Sequence, residues 1–427
     1  MVPPAFSQYA GPAILSRGEA PAAMSVPAIS FRPYVDATGV YDTGLAGVGL
    51  TDKGQLANTA AAGIELTGGV SGVHSWRHTK VGLDYQGSLR HYTQKTYFDG
   101  SDQALLLGIT HAFTQHITLN MRESAGMYAR NPGILGLSQT ATFDPNTAYI
   151  PTTDYFDNRT IYAATQADLI IQKSARLSFD VGGDGYLVRR RSTALNGVTS
   201  GVARADVQYR LSRRTTIGAN YSYSHYGFTR VFGSTDMHTL SGSYSVRLSR
   251  WLEFSGFAGV ARAETKFTEN VPVDPVVTAL LGIVSGTQVI YHIRYVPNVE
   301  GRLSRTFQSG VAYISGGRTV TPGNGLFLTS AMTTINGGYN YTGLRRWSFG
   351  ANVLYSYGDS FGNVSGTYRS TAGTVTASRQ LAHSFHALAS VSARNYGSAD
   401  FHLYRRVVWE GRIGFGWAPG DMPMRLW

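Results

Sequence analysis

The sequence predicts an all-β protein, a single transmembrane antiparallel up-and-down β-barrel of about 18 strands, with 16 as the alternative count. Three observations point there. Apolar and polar residues alternate with a period of two through most of the chain. Very short polar connections alternate with longer ones rich in Gly, Asn, Asp and Pro. Finally, 427 residues carry only 15% charged side chains, with 50 Gly and 26 Tyr, so the chain needs a large core or an apolar environment. No apolar run reaches the length of a spanning helix; VVTALLGIV at 276–284 is the longest and Gly282 breaks it. Strands that enter a membrane must close on themselves to satisfy their backbone groups.

Each strand is read from its phase. In RTTIGANYSYSHY at 214–226, Ile217, Ala219, Tyr221 and Tyr223 share one face, while Gly218, Asn220, Ser222 and Ser224 share the other. Earlier in the chain, Val81, Leu83, Tyr85 and Leu89 oppose Lys80, Asp84, Gln86 and Arg90. Ile117, Leu119 and Met121 oppose Asn120 and Arg122, and Ile161, Ala163, Ala167 and Leu169 oppose Gln166 and Asp168. Leu177, Phe179 and Val181 oppose Ser178 and Asp180; Ala203, Ala205, Val207 and Tyr209 oppose Arg204, Asp206 and Arg210. The second half repeats the theme around Leu240–Leu248, Tyr291–Val299, Trp347–Tyr355 and Val407–Trp417. Strands at 29–41 and 307–320 alternate poorly.

The connections set the architecture. Eight short turns lie near 76–78, 114–116, 173–176, 212–214, 249–250, 305–308, 343–346 and 380–383. Short turns on one side and long loops on the other are the layout of a transmembrane barrel, with periplasmic turns and extracellular loops. Nine longer connections then give 18 strands with both ends periplasmic. The longest, 131–158 and 264–286, are expected as loops. Loop 131–158 is expected either to fold into the lumen or to cap the outside. The apolar 264–286 is expected to pack into the mouth or dock a partner.

The division that follows is 1–28 as a periplasmic extension, 29–417 as barrel and 418–427 as a periplasmic tail. PAFSQ within 1–8 resembles the small-residue end of a signal-peptide cleavage site, although MVPPAFSQYAGPAIL has no basic and apolar leader of its own. Repeat architectures such as propellers and β-helices would show a fixed motif, and none is present.

In pattern, over 29–417, the chain resembles Gram-negative outer-membrane porin-like β-barrels. IGFGW at 413–417 is similar to the aromatic-rich last strand of such proteins, and Trp427 closes the chain. The ten residues after Trp417 depart from that pattern. The resemblance implies an integral outer-membrane channel, with outer-membrane lipid, lipopolysaccharide and small hydrophilic solutes as partners.

A barrel of this size has room for an aqueous lumen. The inward phase carries Asp84, Arg90, Arg122, Asp168, Asp180, Asp184, Arg204, Asp206, Arg210, Arg247, Arg294, Glu300, Arg302, Arg394, Glu410 and Arg412. On the lipid face each would cost roughly 2–4 kcal/mol near the bilayer midplane; facing water they can select solutes. Arg exceeds Asp plus Glu in this set, which implies a mild anion preference. Bracing of the wall by cross-strand pairs explains any one of them equally well. Trp76, Phe113, Trp251, Trp347, Trp409 and Trp417 fall at strand ends, as an aromatic girdle requires; Tyr92 and Tyr357 fall at strand ends too.

The chain has no Cys, so disulfides, zinc-thiolate sites and CxxCH haem attachment are excluded. The net charge of +11 is spread singly along strands, which speaks against nucleic acid as a partner. No GxSxG, HExxH or EF-hand pattern occurs, so no enzyme and no cofactor are implied. A barrel accessory to polysaccharide or appendage export, and a scaffold plugged by its loops or by a surface partner protein, remain the rival readings. A homo-oligomer is compatible with any of them.

Overall fold

Eighteen antiparallel strands close into one barrel in the computed structural model. It describes residues 29–50, 56–93, 99–128, 160–193, 195–272, 276, 279–280, 285–323, 325, 327–361, 365–398, 406–419 and 422–424. In chain order the strands are β1 (Ile29–Leu50), β2 (Leu56–Ser75), β3 (Thr79–Tyr92), β4 (Gly100–Ala112), β5 (Ile117–Tyr128) and β6 (Thr160–Gln172). Then come β7 (Leu177–Arg190), β8 (Val198–Arg210), β9 (Thr215–Phe228), β10 (Gly233–Arg247), β11 (Leu252–Pro272) and β12 (Ser285–Phe307). The circle continues through β13 (Gly310–Thr321), β14 (Ser330–Tyr341), β15 (Trp347–Phe361), β16 (Ser365–Gln380), β17 (Phe385–Ser398) and β18 (Arg406–Trp417). Each strand pairs with its sequence neighbours, and β1 pairs with β18 from Val35↔Trp417 to Asp42↔Glu410. Closure leaves no edge along that seam.

The period-two phase decides which face meets what. On β9, Ile217 and Tyr221 are exposed while Ser224 is buried; on β10, Leu240 is 64% exposed and its neighbour Ser241 is 6% exposed. Exposed apolar side chains therefore cover the outside, and polar ones turn inward. An exterior of that composition is stable only in lipid.

The short turns share one piece of chemistry. Ser174 Oγ accepts the backbone N–H groups of Arg176 and Leu177, and Ser212 Oγ accepts those of Arg214 and Thr215. Thr114 does the same for His116 and Ile117, and Ser249 for Trp251. A hydroxyl that accepts backbone donors two and three residues on fixes the reversal without help from the rest of the fold.

Two boundaries differ from the sequence reading. Both ends of the connection expected over 264–286 are strand, 264–272 in β11 and 285–286 in β12, because the two strands pair up to Pro272↔Ser285. There Ala263 and Thr265 are buried while Glu264 and Lys266 are half-buried on the opposite face, the alternation of a strand. Of the apolar stretch beyond, Val276 and Leu280 are exposed rather than packed into the mouth. At the other end, a short β19 (Met422–Met424) pairs with Ile29–Phe31 of β1. The residues after Trp417 thus extend the last strand along β1 after an irregularity. Residues 1–28 and 131–158 lie outside the described residues.

The packed core lies inside the upper barrel. β13 pairs with β12 only from Val299↔Arg318 downward, whereas β12 continues upward on β11 alone. Above that point the outward-phase residues Val320, Ala331 and Phe361 of β13, β14 and β15 are buried. They share one cluster with the inward-phase Ala261, Ala263 and Val296 of β11 and β12. Met237, Tyr226, Val198, Val188, Tyr186 and Tyr162 join it from the inner wall of β6–β10. The upper ends of β13–β15 therefore lean into the lumen and lap behind β12. Arg294 ties the lap, reaching Asp359 at 2.7 Å and lying 5.0 Å over the Phe361 ring.

Candidate functional site: the lumen and its crossing segment

The connection from β13 to β14 crosses the lumen. On one side Phe327 is fully buried against the inner wall, stacked on Tyr368 of β16 with centroids 5.3 Å apart and planes 6° apart, beside Met332. On the other side the Asn196 backbone N–H donates to Gly325 O at 2.9 Å, and the Thr235 and Thr329 hydroxyls meet at 2.5 Å. Glycine is required at two points here. Gly323 and Gly325 have φ of 74° and 91°, and a Cβ on Gly325 would sit 2.5 Å from Arg190 Nε. The far anchor is itself held: Arg230 donates to the carbonyls of Leu195 at 3.1 Å, Arg190 at 3.2 Å and Ser192. The loop 131–158, which the sequence offers either for the lumen or as an outer cap, lies outside the described residues; among those, the crossing is made by 322–323, 325 and 327–329.

Ion pairs gather on two parts of the inner wall. On β6–β8, Arg204 bridges Asp168 and Asp184, the latter at 2.8 Å, with its side chain 2% exposed. Asp168, Gly182 and Arg204 lie in one cross-strand row. A Cβ on Gly182 would collide with Asp168 Oδ1, so the pair needs a glycine between its members. Near the closing seam, Glu65 accepts Arg90 Nε at 2.7 Å and Arg412 at 3.0 Å, while Arg412 Nε donates to Glu410 at 2.6 Å. Charges so buried are stable only when paired.

Lower in the lumen, ring and amide contacts stand in place of ion pairs. Arg302 lies 4.7 Å over the Tyr313 ring, and Asn352 donates to Tyr313 Oη at 2.9 Å and to Asn336 Oδ1 at 3.1 Å. Arg122, Arg210 and Arg247 are exposed on the inward phase, and no ion pair engages them among the described residues. Asp84, Asp180, Asp206, Glu300 and Arg394 share that inward phase; Asp206 accepts the Asn220 side-chain amide.

Sequence reasoning missed several inward charges. Glu65, Asp36, Asp42, Asp102 and Glu253 join the acids, and Arg32 and Arg190 the bases, so nine arginines against seven acids become eleven against twelve and the arginine surplus is gone. Glu65 stood in plain alternation between the exposed Ile64 and Leu66, so the period-two signal could have found it. Of the aromatics, Trp76, Phe113, Trp251, Trp347 and Trp417 lie at the periplasmic end and Trp409 towards the other. Tyr92, at the top of β3, is buried in the lumen beside Asp42 instead.

A closed strand wall with an apolar outside and a charged, hydrated inside has one stable setting. The chain is an integral outer-membrane β-barrel. No protein-family model matches the sequence, and no curated protein matches it. Among solved structures it is similar to OpdQ of Pseudomonas aeruginosa, at 10% identity over 93% of this chain and 98% of that one, with a TM-score of 0.44. It is similar also to OccAB2 of Acinetobacter baumannii, at 9% identity over 93% and 98%, TM-score 0.44. A third is OprD of Pseudomonas aeruginosa, at 8% identity over 93% and 96%, TM-score 0.40. Likenesses this distant assign no solute and no site residue; the barrel stands on its own pairings.

Proposed function

We propose that the protein is a passive channel for small hydrophilic solutes across the outer membrane, with a mild anion preference. The observation that carries this reading is the polar and charged inward phase of the wall below the buried apolar cluster, crossed near the outer mouth by the β13–β14 connection. Solutes are screened first by size at that crossing. Below it they meet Arg122, Arg210 and Arg247, which form no ion pair among the described residues although Glu253 stands opposite Arg247, and these supply the preference for anions. The paired charges around Arg204 and Glu65 brace the wall and add little net field. No enzymatic step belongs to this reading.

The buried cluster at the mouth gives the plugged-scaffold alternative its foothold. Liposome swelling separates the two. Vesicles with folded barrel should swell in a pentose faster than in a disaccharide, and protein-free vesicles not at all. Equal, background-level swelling in every sugar would mean that nothing passes.

A further inference from the structure

The lumen wall has two unlike sides. On β6–β8 the inward phase carries Asp168, Asp180, Asp184, Arg204, Asp206 and Arg210. Across the barrel, the inward phase of β13–β16 carries no charged side chain among the described residues. Arg318, Asp359, Arg369 and Arg379 all stand on the outward phase of those strands. Hydroxyls and carboxamides face the lumen in place of charge.

These neutral groups fall into two sets. The hydroxyls of Ser348 and Ser378 bond each other, as do those of Ser356 and Ser370 at 2.7 Å, and so belong to the wall itself. The second set is turned to the lumen in three neighbouring rows. Asn340 and Thr376 share one row, Tyr313, Asn352 and Thr374 the next, and Asn336 stands in the third. Tyr313 lies flat on Gly338, where a Cβ would come 2.6 Å from the ring, and Asn352 Nδ2 holds its Oη at 2.9 Å. Among the described residues, nothing donates to Asn352 Oδ1, and the side chains of Asn340, Thr374 and Thr376 make no hydrogen bond. The patch spans three interstrand spacings and two row spacings, about 14 Å each way.

The chemistry of such a patch selects its ligand. A carboxamide sets a donor beside an acceptor, and a hydroxyl is both. Two neighbouring hydroxyls of a sugar ring match a carboxamide edge, one donating to its oxygen and the other accepting from its N–H. An ion finds no counter-charge here. A polyol replaces the water on these groups one hydroxyl at a time. We propose that this side of the lumen is a saturable site for uncharged polyhydroxy solutes, sugars in ring form, held by Asn340 and Asn352 with Tyr313, Thr374 and Thr376. The proposal rests on the channel reading and names a solute class within it. Ions and sugars then follow opposite sides of one lumen.

The test uses the intact barrel in detergent with methyl glucoside as the probe. Saturation transfer from protein to sugar protons reads binding, and glucuronate, the same ring with a carboxylate, is the comparison. Methyl glucoside should bind saturably. A hydrogen bond contributes about fivefold, so Asn340→Ala and Asn352→Ala should each weaken binding by about fivefold and together by about 25-fold. Asn340 makes no bond within the wall, so its removal should leave folding unchanged, which heat-modifiable mobility checks. Asn120→Ala, the same change on β5 across the lumen, should leave binding unchanged. Undiminished binding by the folded double variant would overturn the proposal. Tighter binding of glucuronate than of the glucoside would also overturn it, because the arginines would then hold the solute. Conductance is read separately on the same protein. A barrel that binds the glucoside through Asn340 and Asn352 but carries no current would sink the channel reading and keep this one. A conducting barrel without saturable glucoside binding would do the reverse.

Discussion

Removing Phe327 should open the outer mouth. The ring is fully buried between Tyr368 and Met332, and replacing a buried phenylalanine by alanine costs about 3–5 kcal/mol. The remaining anchors are the Asn196–Gly325 and Thr235–Thr329 hydrogen bonds, each contributing about 1 kcal/mol. Since every 1.4 kcal/mol is a factor of ten, losing about 3 kcal/mol lowers the ratio of docked to released segment by about a hundredfold. In planar bilayers Phe327→Ala should therefore give a larger and noisier unitary conductance than wild type. Heat-modifiable mobility on a gel checks that the barrel still closes. The same conductance and the same noise from a folded variant would refute the reasoning, because the segment would then not border the conducting path.

Further outcomes follow from the same geometry. Arg204→Ala strands Asp168 and Asp184 on the buried wall and should destabilise the barrel by about 3–5 kcal/mol, read as a lower urea midpoint. Glu65→Gln leaves Arg90 and Arg412 less compensated, so reversal potentials in a salt gradient should move towards anions. Arg210→Glu with Arg247→Glu should move them the other way, and an unmoved potential would remove these arginines from the selectivity account. On β8 the two faces can be tested one residue apart. Val207→Arg puts a charge in lipid at roughly 2–4 kcal/mol if near the midplane, whereas Gln208→Arg faces water and should cost little.

Much of the wall was legible because period-two alternation is local. Each residue's neighbours reveal its face, as Leu240 and Ser241 do. The turns were legible for a similar reason, since Thr114, Ser174, Ser212 and Ser249 fix their reversals with bonds that span two or three positions. What escaped is non-local. The lap of β13–β15 behind β12 depends on where pairing stops at Val299↔Arg318, and nothing near Val320 or Phe361 distinguishes lipid from buried core. Length marks 131–158 as a candidate for the lumen or for an outer cap, and it lies outside the described residues; among those, the shorter β13–β14 connection crosses, through two glycines and contacts 41 to 129 positions away, which no local pattern reveals. The upper end of the β11–β12 hairpin reads as loop in the sequence because Pro272 and the apolar run after it obscure the alternation above Glu264.

The reversal potential and unitary conductance of the purified protein in a planar bilayer under a tenfold KCl gradient test the central claim most directly. A steady conductance with a potential on the anion-selective side is the predicted result. A correctly folded barrel that carries no current would contradict it and make the crossing segment and the lapped strands a plug.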